Sequence, residues 1–178
     1  MEAFRNHPRI RVSVVITNRS DAGVRERAGS FGVPHYFFPN ADWAADPAKI
    51  LAQLAVYRVD FVLLAGFLRL IPGPMLEAFP GRILNIHPSL LPQFGGKGLY
   101  GIKVHEAVCR SGQPESGMTI HLVDSHYDEG PVLFQARCPV LPDDSPRDLA
   151  DRVLKLEHAH YAQIAAHYIT SHPVLPVP

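Results

Sequence analysis

Cysteine is scarce: 178 residues hold 2, Cys109 and Cys138, with no C-x-x-C spacing. A disulfide framework and a cysteine-based zinc site are therefore excluded as expectations, and a reducing compartment fits. Neither sign of charge prevails, with 17 Lys+Arg against 17 Asp+Glu, so no field draws the chain to a polyanion and nucleic acid is not an expected partner. Long apolar runs are absent too, and no signal-peptide core follows Met1; a membrane partner is not expected, and the chain reads as cytoplasmic. There is no internal repeat, and the one biased tract is the Pro-rich segment 172–178, which cannot continue a helix. What is present is 47% hydrophobic and 19% charged residues, enough for one globular domain with a core of its own.

The order of patterns is strand and helix in alternation. Residues 10–17 (IRVSVVIT) are β-branched and nearly continuously apolar, as in a strand buried on both faces. A short helix over 22–30 stopped by Gly32, a strand over 35–38 and a helix over 46–57 with Pro47 in its first turn follow. Strands at 60–65 and 82–87 flank a Pro/Gly-punctuated stretch, 71–81, with room for one short helix. A helix over 102–110, a strand over 119–123 and an antiparallel partner over 131–140 come next. Ser145-Pro146-Arg147-Asp148 then opens a long closing helix with an N-cap, a proline at the first position and an acid at the third. The pattern implies an α/β fold with a doubly wound, mostly parallel sheet, an antiparallel C-terminal strand pair and ligand sites beyond the carboxyl ends of the strands.

One segment stands out, Asn85-Ile86-His87-Pro88-Ser89-Leu90-Leu91-Pro92. Asn85 and His87 project to the same face of a strand that Pro88 stops. Two polar side chains at the tip of an apolar strand need hydrogen bonds or a ligand. Taken alone, the pair is equally read as a hydrogen-bonded strand end. Ala65-Gly66-Phe67-Leu68-Arg69-Leu70-Ile71 places a glycine and an arginine just past the preceding strand, where a ligand could lie against backbone groups. The plainer readings are a turn with Arg69 in solvent, a simple turn at Asp128-Glu129-Gly130-Pro131, and solvent-facing Thr119 and His121 in an alternating strand.

Together and in this order, the segments resemble the formyltransferases that use 10-formyltetrahydrofolate. The resemblance runs from the strand near Val12 to the closing helix near Tyr168. It includes N-x-H-P-S-L-L-P, Gly117-Met118-Thr119-Ile120-His121-Leu122-Val123 and D-x-G-P at 128–131, and Glu157-His158-Ala159-His160-Tyr161 favours the glycinamide ribonucleotide branch. It implies a Rossmann-like formyltransferase domain over 1–171 and transfer of a formyl group from 10-formyltetrahydrofolate, as co-substrate and without a metal, to the amine of glycinamide ribonucleotide in de novo purine biosynthesis.

By the same resemblance Asn85, His87 and Asp128 are the catalytic residues. Asn85 would donate to the oxyanion formed when the amine attacks the formyl carbon. A protonated His87 would donate as well and move protons, and pairing with Asp128 should raise its pKa. Leu68, Arg69, Leu70, Ile71, Asn85 and Asp124 correspond to the folate-binding set, Pro88 and Glu157 to positions that touch the ribonucleotide. A solvated helix residue remains the other reading of Glu157, and a mobile surface loop that of the glycine-rich stretch 93–101, where Lys97 could reach a phosphate.

The family opens with a strand and a Gly/Ser/Asn-rich phosphate turn that 1–8 is too short to supply, so the domain is read as N-terminally incomplete. A start codon assigned too late and a truncated, inactive folate-binding remnant are the two explanations, and the upstream reading frame separates them. Hydrolysis of 10-formyltetrahydrofolate, or formyl transfer to another amine, is the rival activity. Oligomeric state is not legible.

Overall fold

The computed structural model describes residues 1–172, so most of the Pro-rich 172–178 tract lies outside the described residues. The described residues form two compact units, one from residues 1–60 and 71–79, the other from 61–70 and 80–172.

The first unit begins with a 3-10 turn, Glu2–Phe4. It continues through β1 (Val15–Thr17), α1 (Val24–Ser30), β2 (His35–Phe37), α2 (Asn40–Ala45) and α3 (Pro47–Val56), and includes α4 (Gly73–Ala78). β1 and β2 pair in parallel, Val15 opposite His35 and Thr17 opposite Phe37, the β-α-β unit that the alternation predicts. The strand expected over 10–17 is laddered only from Val15. Its partner β2 is three residues long, and Pro34 before it accepts from the Val15 N–H at 2.9 Å but has no N–H to give. α2 is an element that periodicity does not predict, because six residues are too few to show a stripe. Trp43 anchors it: the indole is buried and its N–H donates to the Phe38 carbonyl at 3.1 Å. α3 has Pro47 at its start and buries Ile50 and Leu54, one turn apart as a helical stripe requires.

The second unit holds β3 (Val62–Leu64), β4 (Ile83–His87), α5 (Ile102–Ser111), β5 (Glu115–Leu122), β6 (Val132–Pro139) and α6 (Pro146–Ser171). Its sheet has the order β3-β4-β5-β6. β3 and β4 are parallel, while β4–β5 and β5–β6 are antiparallel. Parallel pairing, an antiparallel C-terminal pair and a long closing helix are the α/β architecture expected from the sequence. β5 starts at Glu115 rather than Thr119, and Gly117 shows why the longer pairing is possible. A Cβ there would lie 2.0 Å from the Ala136 carbonyl oxygen, so only glycine lets β6 come this close.

α6 opens with the expected capping box, in which the Ser145 hydroxyl accepts from the Asp148 N–H and the Asp148 carboxylate from the Ser145 N–H. The helix packs on β4, β5, β6 and α5. Leu149, Val153 and Ala165 are buried from α6, Val104 and Val108 from α5, and Leu84, Met118 and Ile120 from the sheet. The ladder places Asn85 opposite His121 and His87 opposite Thr119, with Pro88 ending β4.

Candidate active site

Asn85, His87 and Asp128 converge within the second unit, and a residue read as solvent-facing joins them. His121 is 2% exposed. Its Nδ1 lies 2.8 Å from the Leu122 carbonyl oxygen, which can only accept, so Nδ1 carries a proton and Nε2 is the ring's acceptor position. The Asn85 Nδ2 donates to that Nε2 at 3.1 Å. This fixes the carboxamide orientation and leaves its second N–H available. His121 Nε2 is also 3.7 Å from Asp128 Oδ1.

Thr119 is likewise fully buried, which corrects its reading, with that of His121, as a solvent-facing position. The strand alternates, but β5 is covered on both faces, so an alternating pattern does not mark an exposed side.

His87 is 5% exposed. Its Nε2 donates to the Phe94 carbonyl at 2.9 Å, and its Nδ1 faces Asp128 Oδ2 at 3.5 Å. Burial pulls the imidazolium pKa below its ordinary value. Asp128 and the Phe94 carbonyl push it up and His121 pushes it down, and burial prevails. The Asp128 pairing does raise this pKa, as expected, but the net shift is downward: water exclusion outweighs a carboxylate that stands at 3.5 Å rather than in tight contact. For Asp128 burial pushes the pKa up, but His121, His87 and the Gly96 N–H outweigh it and hold the carboxyl below the usual range.

Asp128 sits in the left-handed region at φ 58, an uncommon conformation for a residue with a side chain and one often kept at functional sites. Its Oδ2 accepts from the Gly96 N–H at 2.9 Å. Gly130 makes the turn possible, since a Cβ there would fall 1.9 Å from the Leu122 carbonyl oxygen. The glycine of D-x-G-P is therefore a close-approach residue.

The remaining sequence-predicted positions are more dispersed. Leu68 and Leu70 are exposed at 53% and 42%, Arg69 is exposed, and the Leu70 N–H donates to the Tyr127 hydroxyl at 3.1 Å, one residue before Asp128. Ile71 belongs to the first unit and is buried. Asp124 caps its own turn, accepting from the His126 N–H at 2.8 Å. Pro88 is half-buried directly after His87. Glu157 is half-buried on α6, where burial pushes its carboxyl pKa up and His158 pulls it down only in part. No hydrogen bond joins it to the Asn85–His121–Asp128 group among the described residues. Tyr161, one turn on, donates to the Leu64 carbonyl at 2.7 Å and lies 3.2 Å from that of Leu84. It joins the ends of β3 and β4 just before Asn85.

Two residues of the site are invisible to spacing. His121 is marked only by its presence in Gly117-Met118-Thr119-Ile120-His121. His105, buried on α5 with Nδ1 unpartnered, carries a pKa lowered by burial and by repulsion from His87. No group of three or more His, Cys, Asp or Glu among the described residues is placed to hold a metal ion, and no helix among them is long and apolar enough to cross a membrane.

The profile of the family described as "Formyl transferase" matches residues 1–165. The chain is 50% identical over 157 residues to the chloroplastic phosphoribosylglycinamide formyltransferase of Arabidopsis thaliana, covering 86% of this chain and 54% of the relative. With the phosphoribosylglycinamide formyltransferase of Bacillus subtilis it shares 34% identity over 155 residues, 85% of this chain and 77% of the relative. The crystal structure of glycinamide ribonucleotide transformylase 1 from Symbiobacterium toebii superposes with a TM-score of 0.83 at 40% identity, over 93% of this chain and 77% of that one. The chain spans about half the length of the plant relatives it matches.

Proposed function

The chain belongs to the formyl transferase family, and from that premise we propose that it moves a formyl group from 10-formyltetrahydrofolate to the primary amine of glycinamide ribonucleotide, a step of de novo purine biosynthesis. The observation that carries the reading is the linkage of Asn85 through His121 to Asp128, with Asp128 facing His87. A carboxamide held with one N–H free and an imidazole held beside a carboxylate are the parts that acyl transfer between two nitrogens requires.

The amine nitrogen attacks the formyl carbon, the C=O electrons move to oxygen, and the free Asn85 N–H donates to that oxyanion. Charge develops there only as the bond forms, so the donor favours the transition state over bound substrate. His87 starts neutral, in keeping with its lowered pKa. Its Nδ1 takes the proton that the attacking nitrogen loses, and the imidazolium so formed is stabilised by Asp128 at 3.5 Å. Return of that proton to N10 lets the C–N10 bond break while the carbonyl re-forms.

Leu68, Arg69, Leu70, Ile71 and Asp124 bind the folate in this reading, together with Asn85. Pro88 and Glu157 contact the ribonucleotide, Glu157 accepting from ribose hydroxyls. Balanced charge fits small-molecule substrates rather than nucleic acid or a membrane surface. A cytoplasmic location accords with free thiols at Cys109 and Cys138.

Spectroscopic assay of folate product with and without glycinamide ribonucleotide tests the proposal. Product that requires the ribonucleotide supports transfer. Product formed without it indicates hydrolysis, and folate binding without turnover refutes an enzymatic role.

A further inference from the structure

The loop that follows His87 is bonded with unusual completeness. Thr119 Oγ1, fully buried on β5, donates to the Ser89 carbonyl at 2.6 Å and accepts from the Leu91 N–H at 3.0 Å and from Gln135 Nε2 at 2.9 Å. A hydroxyl has one proton and two lone pairs, so its whole capacity is spent on this loop and on Gln135. The second N–H of the Gln135 amide, from β6, goes to the Leu91 carbonyl at 2.9 Å. The Ser89 hydroxyl then reaches forward to the Gln93 carbonyl at 2.7 Å, and the next residue, Phe94, is held in the left-handed region at φ 56. Its carbonyl accepts from His87 Nε2 at 2.9 Å.

We infer that the Phe94 carbonyl is the orienting partner of His87, and that Thr119 and Gln135 are positioning residues that hold it in place; this rests on the formyl-transfer reading of the same site. With Nε2–H tied to a carbonyl, Nδ1 is the one ring nitrogen able to gain a proton, and it is the nitrogen that faces Asp128. The same loop supplies the Gly96 N–H that holds the Asp128 carboxylate, so the ring and its counter-charge are set from one segment. Thr119 has no capacity left for a substrate and acts only through the loop. The titratable groups that act on His87 are Asp128 from the D-x-G-P turn and His121 from β5, while His87 in turn lowers the pKa of His105 on α5, and none of them fixes which nitrogen carries the proton as the carbonyl does.

The test is 15N NMR of histidine-labelled full chain, with His87 assigned by its loss in His87→Gln, beside steady-state kinetics. Wild type should show His87 as the neutral Nε2–H tautomer. Thr119→Val and Gln135→Leu should each give mixed tautomers and lower kcat about tenfold, with KM changed less than about twofold, and Thr119→Ser should restore both readouts. An Nδ1–H tautomer in wild type overturns the inference whether or not any variant folds. So does an unchanged tautomer and kcat in the folded variants, which would leave a merely structural clamp. Wild-type protein that shows the Nε2–H tautomer but no ribonucleotide-dependent turnover would sustain the orienting role and refute the functional reading.

Discussion

Asn85 and His121 face each other across the β4–β5 ladder and share a hydrogen bond of 3.1 Å. The tautomer of His121, set by the Leu122 carbonyl, decides that the carboxamide presents its nitrogen rather than its oxygen to the ring. Asn85→Ala should therefore lower kcat by about two orders of magnitude, as loss of an oxyanion donor does. His121→Ala should lower it by roughly tenfold, because the donor stays but loses its orientation. The double variant should be no slower than Asn85→Ala by more than about twofold, since two residues acting through one hydrogen bond are not additive. A full multiplicative effect in stopped-flow single turnovers would refute the linkage.

Asp128→Asn removes the negative charge that raises the His87 pKa, so the pKa falls further below its ordinary value. If neutral His87 is the proton acceptor, the acid limb of the kcat/KM profile moves to lower pH, while the plateau falls by roughly tenfold or more for want of a counter-charge to the imidazolium. A limb that shifts to higher pH would contradict the assigned roles.

Acidification should also destabilise the fold, and the sign follows from both groups. The His87 pKa is depressed in the folded state, so as pH falls below the unfolded value of about 6.5 the unfolded chain takes up more protons and stability declines. Asp128, also depressed, adds stability above its unfolded pKa that is lost as pH falls through the lower folded value. Thermal midpoints measured from pH 7.5 to 2.5 should hold above about pH 6.5, fall as pH drops below it and fall again below about pH 4, and the His87→Gln variant should lose less between pH 7 and 5 than the parent. Equal losses in the two proteins would show that His87 is not part of this linkage.

The polar tip of β4 is legible because two polar side chains of one face interrupt an apolar strand and a proline follows. Its partner across the ladder is not, because His121 lies in an alternating strand whose two faces are both covered, and alternation reports an exposed face only where one exists. The capping box of α6 is visible because it needs four consecutive residues. The extent of β1 is not, since strand length depends on the partner, and β2 supplies three residues. The His87 pKa shows the same division. The sequence names the carboxylate, but the sign of the shift comes from burial, which only the fold provides.

Glu157 makes no hydrogen bond or ion pair among the described residues, and burial raises its pKa. A half-buried carboxylate left without a donor is costly unless a ligand supplies one. Glu157→Gln, which keeps size and one acceptor oxygen, should raise the KM for glycinamide ribonucleotide about fivefold to tenfold with kcat and the folate KM little changed. A folate KM that rises instead would place this side chain against the other substrate.

Tyr161 closes the sheet beneath the site. Its ring is half-buried, its hydroxyl donates to the Leu64 carbonyl at 2.7 Å, and the Leu84 carbonyl stands 3.2 Å away. Burial drives the phenol pKa far above its ordinary value, with Glu157 adding to the rise, so the group is a permanent donor and takes no part in proton transfer at neutral pH. Tyr161→Phe keeps the ring and opens no cavity beyond one oxygen, so the loss is that of a buried hydrogen bond, about 1 kcal/mol. For a chain of this size that is a fall of ~2–4 °C in the thermal midpoint. Tyr168→Phe removes a more exposed hydroxyl that donates to the Gly81 carbonyl at 2.9 Å, and water can replace that bond, so its midpoint should fall by less than half as much. Calorimetry that found the two variants equal would show that the hydroxyl between β3 and β4 adds nothing to the sheet on which Asn85 and His87 stand.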